Sequence, residues 1–290
     1  MAKVKIYKNG SYKVQINTKT GTKFLIGDKF EPDFPDSIDL KITQHCDWGC
    51  PFCYESSGPK GKHANIDTIK KIFEKFPNEP IEVAVGGGNA LDHPKFTEIV
   101  NFLKSKEFIV NLTVNYKDIP RLTPEVLKNI SGLGISIGQG EHPETIPKDI
   151  QIVYHVIAGI TPIDRIKELL EDNQRVLILG YKNMGKAKTN KIPDMKKLEQ
   201  FIKTWLHSSE SGILVMDNLA ASQLNIKGAL LQKDWEDLWM GPEFSHSMFV
   251  NAVEGKFYPS STARGNGVSC SEIEIIDYFK RNHVKNINEI

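Results

Sequence analysis

The sequence predicts an α/β fold, a partial (β/α)6-type barrel with a small β-meander before it and a β-hairpin extension after it. Two observations carry this. From residue 37 onward, short β-rich runs that are apolar nearly throughout alternate with longer amphipathic stretches. Runs of that kind are strands buried on both faces, and helical crossovers between them imply a parallel sheet. The second sets the closure: six strong β/α units and a seventh strand fall short of an eightfold barrel, so the barrel is open or partial.

The elements follow in order. Residues 1–27 alternate weakly, and Asn9-Gly10 and Lys19-Thr20-Gly21 are turn signals, which predicts an antiparallel meander. Glu31-Pro32-Asp33-Phe34-Pro35 breaks the pattern. The strand runs are SIDLKIT (37–43), IEVAVG (81–86), IVNLTVN (109–115), LGISIG (133–138), QIVYHVIAG (151–159), VLILGY (176–181) and GILVMD (212–217). Helices are predicted over 66–76, 94–106, 123–130, 161–172 and 193–206, the last four opening with Pro near a first turn. Beyond Leu224 the pattern weakens to a hairpin over 247–262, turning at Glu254-Gly255, and a short helix over 273–279. The expected organisation is a meander over 1–36, the barrel over 37–224, and an extension over 225–290 that closes the barrel.

Composition excludes several classes. Forty per cent apolar and 25% charged residues are globular values, which set disorder aside. Thirty-seven Lys and Arg against 36 Asp and Glu leave a net charge of +1, so global charge gives no case for nucleic acid or a membrane surface. No apolar run approaches the roughly 18–20 residues of a membrane span. The charged, alternating start MAKVKIYKNGSYKVQ is unlike a secretory signal, and a cytoplasmic, reducing compartment is the expectation. Four cysteines are too few for a disulfide scaffold.

Three of the four stand within eight residues, as Cys46-Asp-Trp-Gly-Cys50-Pro-Phe-Cys53, directly after the first barrel strand. Gly49 and Pro51 preclude a regular helix there, so the thiols sit on one tight loop and can converge on one centre. Spacing alone leaves three readings. A zinc site needs a fourth ligand from His45, His63, His93 or Cys270. A redox pair uses Cys50 and Cys53 and leaves Cys46 unexplained. An iron–sulfur cluster takes four thiolates as a rule, so three leave one iron open to a ligand.

TQHCDWGCPFCY resembles the signature loop of radical S-adenosylmethionine (SAM) enzymes, including the aromatic Phe52 before the last cysteine and the position after strand one. Gly87 to Pro94, GGNALDHP, is similar to the glycine-rich stretch at the end of strand two that holds the methionine amino group of SAM in that family. Asn89 stands where the family has an acidic residue and Ala90 where it has proline. The resemblance covers about residues 37–220. It implies a [4Fe–4S] cluster on Cys46, Cys50 and Cys53, and S-adenosylmethionine held by Gly87, Gly88 and Asn89. Asn115 and Ser136, on the next strands, would reach the ribose and carboxylate, and Phe52 would pack on the adenine. For the polar pair, satisfying strand-end backbone groups is the plainer role. Reductive cleavage of SAM to a 5′-deoxyadenosyl radical, an electron donor such as flavodoxin or ferredoxin, and hydrogen abstraction from a substrate are the implied chemistry.

Substrate-side residues are nominated by the rule that barrel sites lie at strand carboxyl ends: Gln139, His155, Lys182 and Asp217. A lone strand histidine is more often a satisfied core group, the Lys182–Lys188 loop more often a solvated basic loop, and Asp217 can cap a helix. Cys270 is a candidate hydrogen donor or a structural thiol. With one cysteine left over, no second cluster is expected. The substrate expectation leans to a peptide or protein; a nucleoside or small metabolite is the alternative, and a non-catalytic zinc or iron–sulfur sensor is the rival of another class.

Overall fold

The computed structural model describes residues 4–208, 212–263, 265 and 267–283. The first three strands, β1 (Val4–Asn9), β2 (Tyr12–Asn17) and β3 (Lys23–Ile26), form an antiparallel sheet of their own in that order. Gly10, at φ +59°, makes the first turn, where a side chain would run into the Glu31 carbonyl. Tyr12, Val14 and Ile16 bury one face of this meander, while Val4, Ile6, Phe24 and Ile26 stay exposed on the other.

Seven strands then run parallel and in sequence order: β4 (Ser37–Thr43), β5 (Glu82–Gly87), β6 (Ile109–Asn115), β7 (Gly132–Ser136), β8 (Gln151–Ile157), β9 (Arg175–Leu179) and β10 (Ile213–Met216). Helices α1 (Ile66–Glu74), α2 (Phe96–Ser105), α3 (Pro124–Asn129), α4 (Ile163–Glu171), α5 (Lys196–Leu206) and α6 (Asn218–Gln223) cover one face. Their starts carry the predicted devices: Asn65 and Thr123 accept helix N–H groups as caps, and Pro124 occupies the first turn of α3. β7 passes to β8 without a helix among the described residues.

The core lies between sheet and helices. Ile38, Leu40 and Ile42 of β4 meet Ile66, Ile69, Ile72 and Phe73 of α1, all buried. Each such side chain contributes about 1.5–3 kcal/mol relative to exposure. The opposite face of the sheet turns inward, and there β4 carries Asp39 rather than another aliphatic residue.

After α7 (Gln232–Leu238) the chain returns to the sheet. β11 (Ser247–Asn251) pairs parallel with β4, from Ser247 opposite Ser37 to Asn251 opposite Lys41. β12 (Lys256–Tyr258) folds back antiparallel through Gly255, as the hairpin predicts, β13 (Val268–Ser269) follows, and α8 (Ile275–Asn282) packs Tyr278 and Phe279 against Phe244 and Phe257. The result is one ten-stranded sheet in the order β10-β9-β8-β7-β6-β5-β4-β11-β12-β13, with β10 and β13 at its ends. It is the partial α/β barrel expected from the sequence.

Candidate active site

A cavity of about 460 Å³ opens at the carboxyl ends of the parallel strands. Cys46, Cys50 and Cys53 line it from the loop after β4. That loop is held on several sides. Cys46 N–H donates to Gly58 O at 3.2 Å, and Gly58 N–H to Gln44 O at 3.3 Å. Asn89 N–H donates to His45 O at 2.7 Å, and Gly88 N–H to Thr43 O at 2.8 Å. From the loop after β9, Lys186 N–H donates to Cys53 O at 2.9 Å and Asn190 Nδ2 to Pro51 O at 3.0 Å. Lys186 Nζ reaches Ser57 O at 2.7 Å. The Lys182–Lys188 loop, whose Lys182 lines the cavity, also makes structural contacts. It straps the cysteine loop, because backbone groups that no helix or strand satisfies need partners.

Two buried polar groups tie the loop further. Lys41 Nζ forms an ion pair with Glu55, both nearly inaccessible, and also donates to Gln44 Oε1 at 3.2 Å. Trp48, between the first two cysteines, donates its indole N–H to Asp118 Oδ2 at 2.6 Å. Burial, then the neighbouring thiols, pushes the Cys46 and Cys50 thiols up.

The donor set discriminates among the three readings of the cysteines. Two sulfurs on one zinc ion lie at most about 4.6 Å apart, twice the ~2.3 Å Zn–S bond. Among the described residues, the group whose ligand atoms all lie within 4.8 Å is His45, Asp47 and Asp92, and it includes none of the three thiols. The fourth zinc ligands are also engaged elsewhere. His45 Nδ1 is 3.1 Å from Asp92, His63 Nδ1 is 2.8 Å from Thr43 Oγ1, and His93 Nε2 is 2.9 Å from Ala64 O. Asp92 in turn pairs with Arg121 at 2.8 Å, which satisfies its charge without a metal. Three separated thiols around a cavity suit a larger inorganic centre with an open position.

The other predicted cofactor residues meet at the same cavity. Gly87, Gly88, Asn89, Asn115, Ser136 and Phe52 all line it. The glycines have a reason the motif did not supply. A Cβ on Gly87, at φ +127°, would come within 2.3 Å of Thr43 O, and one on Gly88 within 2.1 Å of His45 O. Their smallness lets the cysteine loop cross the end of β5, while Gly86 beside them faces open space. The Asn89 side chain is committed: its Oδ1 accepts from Leu91 N–H at 3.2 Å, and its Nδ2 donates to both Asp118 oxygens at 3.1 Å. Asn115 caps the turn after β6 through Lys117 N–H at 3.0 Å. Phe52 packs its ring over Gly138 at the end of β7, where a Cβ would stand 2.6 Å from Cζ.

Of the substrate-side residues, Gln139, His155 and Lys182 line the cavity. Lys182 Nζ donates to Ser261 Oγ at 2.8 Å and lies 4.2 Å from the Tyr54 ring centroid. Asp217 is a cap: Oδ1 accepts from Ala220 N–H at 2.7 Å and Gly180 N–H at 2.9 Å. Cys270 is not brought to the cavity; its N–H donates to Gly255 O at 2.9 Å beside the β11–β12 hairpin. Asp39, Lys41, Glu55, Trp48, Asp118 and Ser261 belong to the site's surroundings and were not singled out from the sequence. For Asp39 and Lys41 a signal existed, the polar–apolar alternation inside SIDLKIT.

Residues 40–178 match the family model of the Radical SAM superfamily. A curated relative, the tungsten-containing aldehyde ferredoxin oxidoreductase cofactor-modifying protein of Pyrococcus furiosus, is 27% identical over 143 residues. The match takes in 47% of this chain and 39% of that protein, so the chain spans well under half the length of that relative. Among solved structures, Streptococcus suis SuiB bound to S-adenosylmethionine superposes with a TM-score of 0.68 at 10% identity, over 95% of this chain and 86% of that one. SuiB bound to the precursor peptide SuiA also gives 0.68, at 9% identity, over 96% and 88%. At these identities the likeness is one of fold.

Proposed function

We propose that this chain is a radical SAM enzyme, residues 40–178 of which match the model of that superfamily, and that it modifies a peptide or protein by hydrogen abstraction. The observation that carries the reading is the convergence of Cys46, Cys50 and Cys53 with the glycine-rich end of β5 on one cavity. Cys46, Cys50 and Cys53 would hold a [4Fe–4S] cluster. Bound there, such a cluster would supply the one-electron reduction that cleaves SAM for hydrogen abstraction. The rest is positioning and protection by the chain. Gly87 and Gly88 present backbone to the methionine end of SAM, and Asn115 and Ser136 offer hydrogen-bonding groups at the next strand ends. Phe52 gives an apolar wall. The Lys41–Glu55 pair and the strap from residues 182–190 hold the loop rigid, so the ligands keep one geometry. Asn89 acts through Asp118: its amide is oriented by a buried carboxylate that it does not itself supply.

The peptide assignment is supported by the fold shared with SuiB, whose structure with a precursor peptide is known. The likeness to the cofactor-modifying protein of Pyrococcus furiosus favours a second reading, modification of a cofactor-sized molecule. A small iron–sulfur or flavin protein, ferredoxin or flavodoxin, is the proposed reductant.

Anaerobic iron–sulfur reconstitution followed by a 5′-deoxyadenosine assay with SAM and dithionite tests the chemistry. The expected result is a brown protein that releases 5′-deoxyadenosine, and a colourless Cys50→Ala protein that releases none. A colourless, zinc-loaded wild type overturns the reading; SAM cleavage retained by Cys50→Ala overturns the ligand set.

A further inference from the structure

The inward face of β4 carries a carboxylate that nothing in the cofactor site uses. Ile38, Leu40 and Ile42 turn to the helix layer, and Asp39 turns to the cavity, which it lines with Thr113 of β6, His155 of β8 and Lys182 beyond β9. Asp39 is exposed, and the space its side chain faces is the cavity. Among the described residues no hydrogen bond or ion pair reaches its carboxylate.

Its electrostatic surroundings are lopsided. Burial raises the Asp39 carboxyl above the ordinary range; Lys182 pulls it down, and Glu243 and Asp217 push it up again. Lys182 is the cation within reach, but it directs its ammonium to Ser261 Oγ at 2.8 Å and to the Tyr54 ring. Lys41, on the same strand, is closed by Glu55. His155 is neutral, because burial pushes its pKa down to about 4, so it neither repels a cation nor neutralises the acid. A carboxylate that faces a cavity with no hydrogen-bond or ion-pair partner of its own is open to a cationic ligand.

Resting on the radical SAM reading, we propose that the inner part of this cavity is a substrate subsite for a cationic nitrogen group, with Asp39 as its counter-ion. Ile157, Leu179 and Phe249 line the same space and provide walls for an aliphatic stem. An ammonium at the end of such a stem makes charge-assisted hydrogen bonds to Asp39. A neutral stem of equal length leaves the carboxylate desolvated and unpaired.

The cation can belong to a lysine side chain of a peptide or to a free small amine, and the test separates them. Reconstituted protein with SAM is titrated anaerobically by calorimetry with N-acetyl-lysine N-methylamide, N-acetyl-norleucine N-methylamide and butylammonium. The lysine probe binds the wild type about 10- to 100-fold more tightly than the norleucine probe, the range for a hydrogen bond to a charged group. Asp39→Asn, close in shape, removes that preference. Lysine probe tighter than butylammonium supports the subsite with a peptide source; equal affinities support it with a small-amine source. Norleucine binding as tightly as lysine in the wild type overturns the proposal without reference to any variant, as does a lysine preference that survives Asp39→Asn. Wild-type 5′-deoxyadenosine release is read in parallel. If it is absent the radical reading fails, while the charge preference is decided by the calorimetry alone.

Discussion

Asp118 is the residue on which the most separate parts of the site depend. It is fully buried, in the short 3-10 helix Tyr116–Arg121 after β6, and its carboxylate accepts from Trp48 of the cysteine loop, from Asn89 at the end of β5, and from Arg121 Nη1 at 2.8 Å. Three donors on one carboxylate make a network whose members cannot be exchanged singly without leaving a donor unmet. Asp118→Asn turns one acceptor into a donor facing donors, and we expect a loss of about 2–3 kcal/mol in urea unfolding. Trp48→Phe removes one bond to the same charged group and leaves the other two, so its loss is about 1.5–3 kcal/mol in the same experiment. Both should also lower the iron retained after reconstitution, since Trp48 lies between Cys46 and Cys50. Unfolding curves that superpose on wild type would show that the network does not hold the loop. None of this was legible beforehand. TQHCDWGCPFCY and GGNALDHP announced themselves, but an aspartate within YKDIPR reads as an ordinary solvated turn, and its burial follows from where β5 and β6 meet.

At the scale of elements, the strands, helices and hairpin were legible because each leaves a local pattern of period or punctuation. Pairings between distant side chains leave none. The run SIDLKIT read as an apolar strand, although its Asp39 and Lys41 alternate with three aliphatics and face the cavity. Lys41 and Glu55 bracket the cysteine loop from its two ends, and both are buried. Removing one partner strands the other charge: Glu55→Gln is expected to cost about 3–5 kcal/mol, whereas the double change Lys41→Met with Glu55→Gln recovers most of it. Additive losses in that double-mutant cycle would mean that the two groups do not act as a pair.

The meander is joined to the barrel by a different polar cluster. Asn9 Nδ2 donates to Phe34 O at 2.8 Å and Asp36 Oδ1 at 2.9 Å, Tyr12 OH donates to Asp36 Oδ2, and His246 Nδ1 stands 3.1 Å from the same oxygen. Burial alone would raise the Asp36 carboxyl, but the His246, Lys23, Tyr12 and Asn9 interactions outweigh it and hold it below the usual range. A carboxylate depressed on folding contributes stability that is complete above its unfolded pKa, about 3.9, and is lost as pH falls through the folded value. Hydrogen exchange of the β1 and β2 amides should therefore accelerate below about pH 4 in the wild type. In Asp36→Asn it should be faster at neutral pH and nearly flat across the same acid window.

At the scale of the whole molecule, the order of the sheet makes the end of the chain part of the site. β4 is followed by the cysteine loop, and it has two neighbours: β5, which is close in sequence, and β11, which comes from the far end. The hairpin of β11 and β12 was legible from its turn, but its parallel pairing with β4 was not, because choosing a partner across the chain is a tertiary outcome that no local period encodes. The pairing is extended at both ends, by Asp36 N–H to His246 O at 2.8 Å and Ala252 N–H to Lys41 O at 3.0 Å. It also positions the loop whose Ser261 meets Lys182 across the mouth, joining the β9 side of the sheet to the β12 side. A chain ending at Gly241 would expose the full edge of β4 and strip Val250, Phe257 and Phe279 from the core. An apolar, unpaired edge of that kind aggregates. We expect the truncated chain to be insoluble, or to unfold without a cooperative transition and retain no iron after reconstitution. Ser261→Ala provides the contrast. It removes one hydrogen bond, shifts stability by about 0.5–1.5 kcal/mol, and leaves β11 in place. If instead the truncated chain unfolds cooperatively and binds iron as the full chain does, β4 holds the cysteine loop with β5 alone, and the carboxyl-terminal strands serve only the substrate side of the cavity.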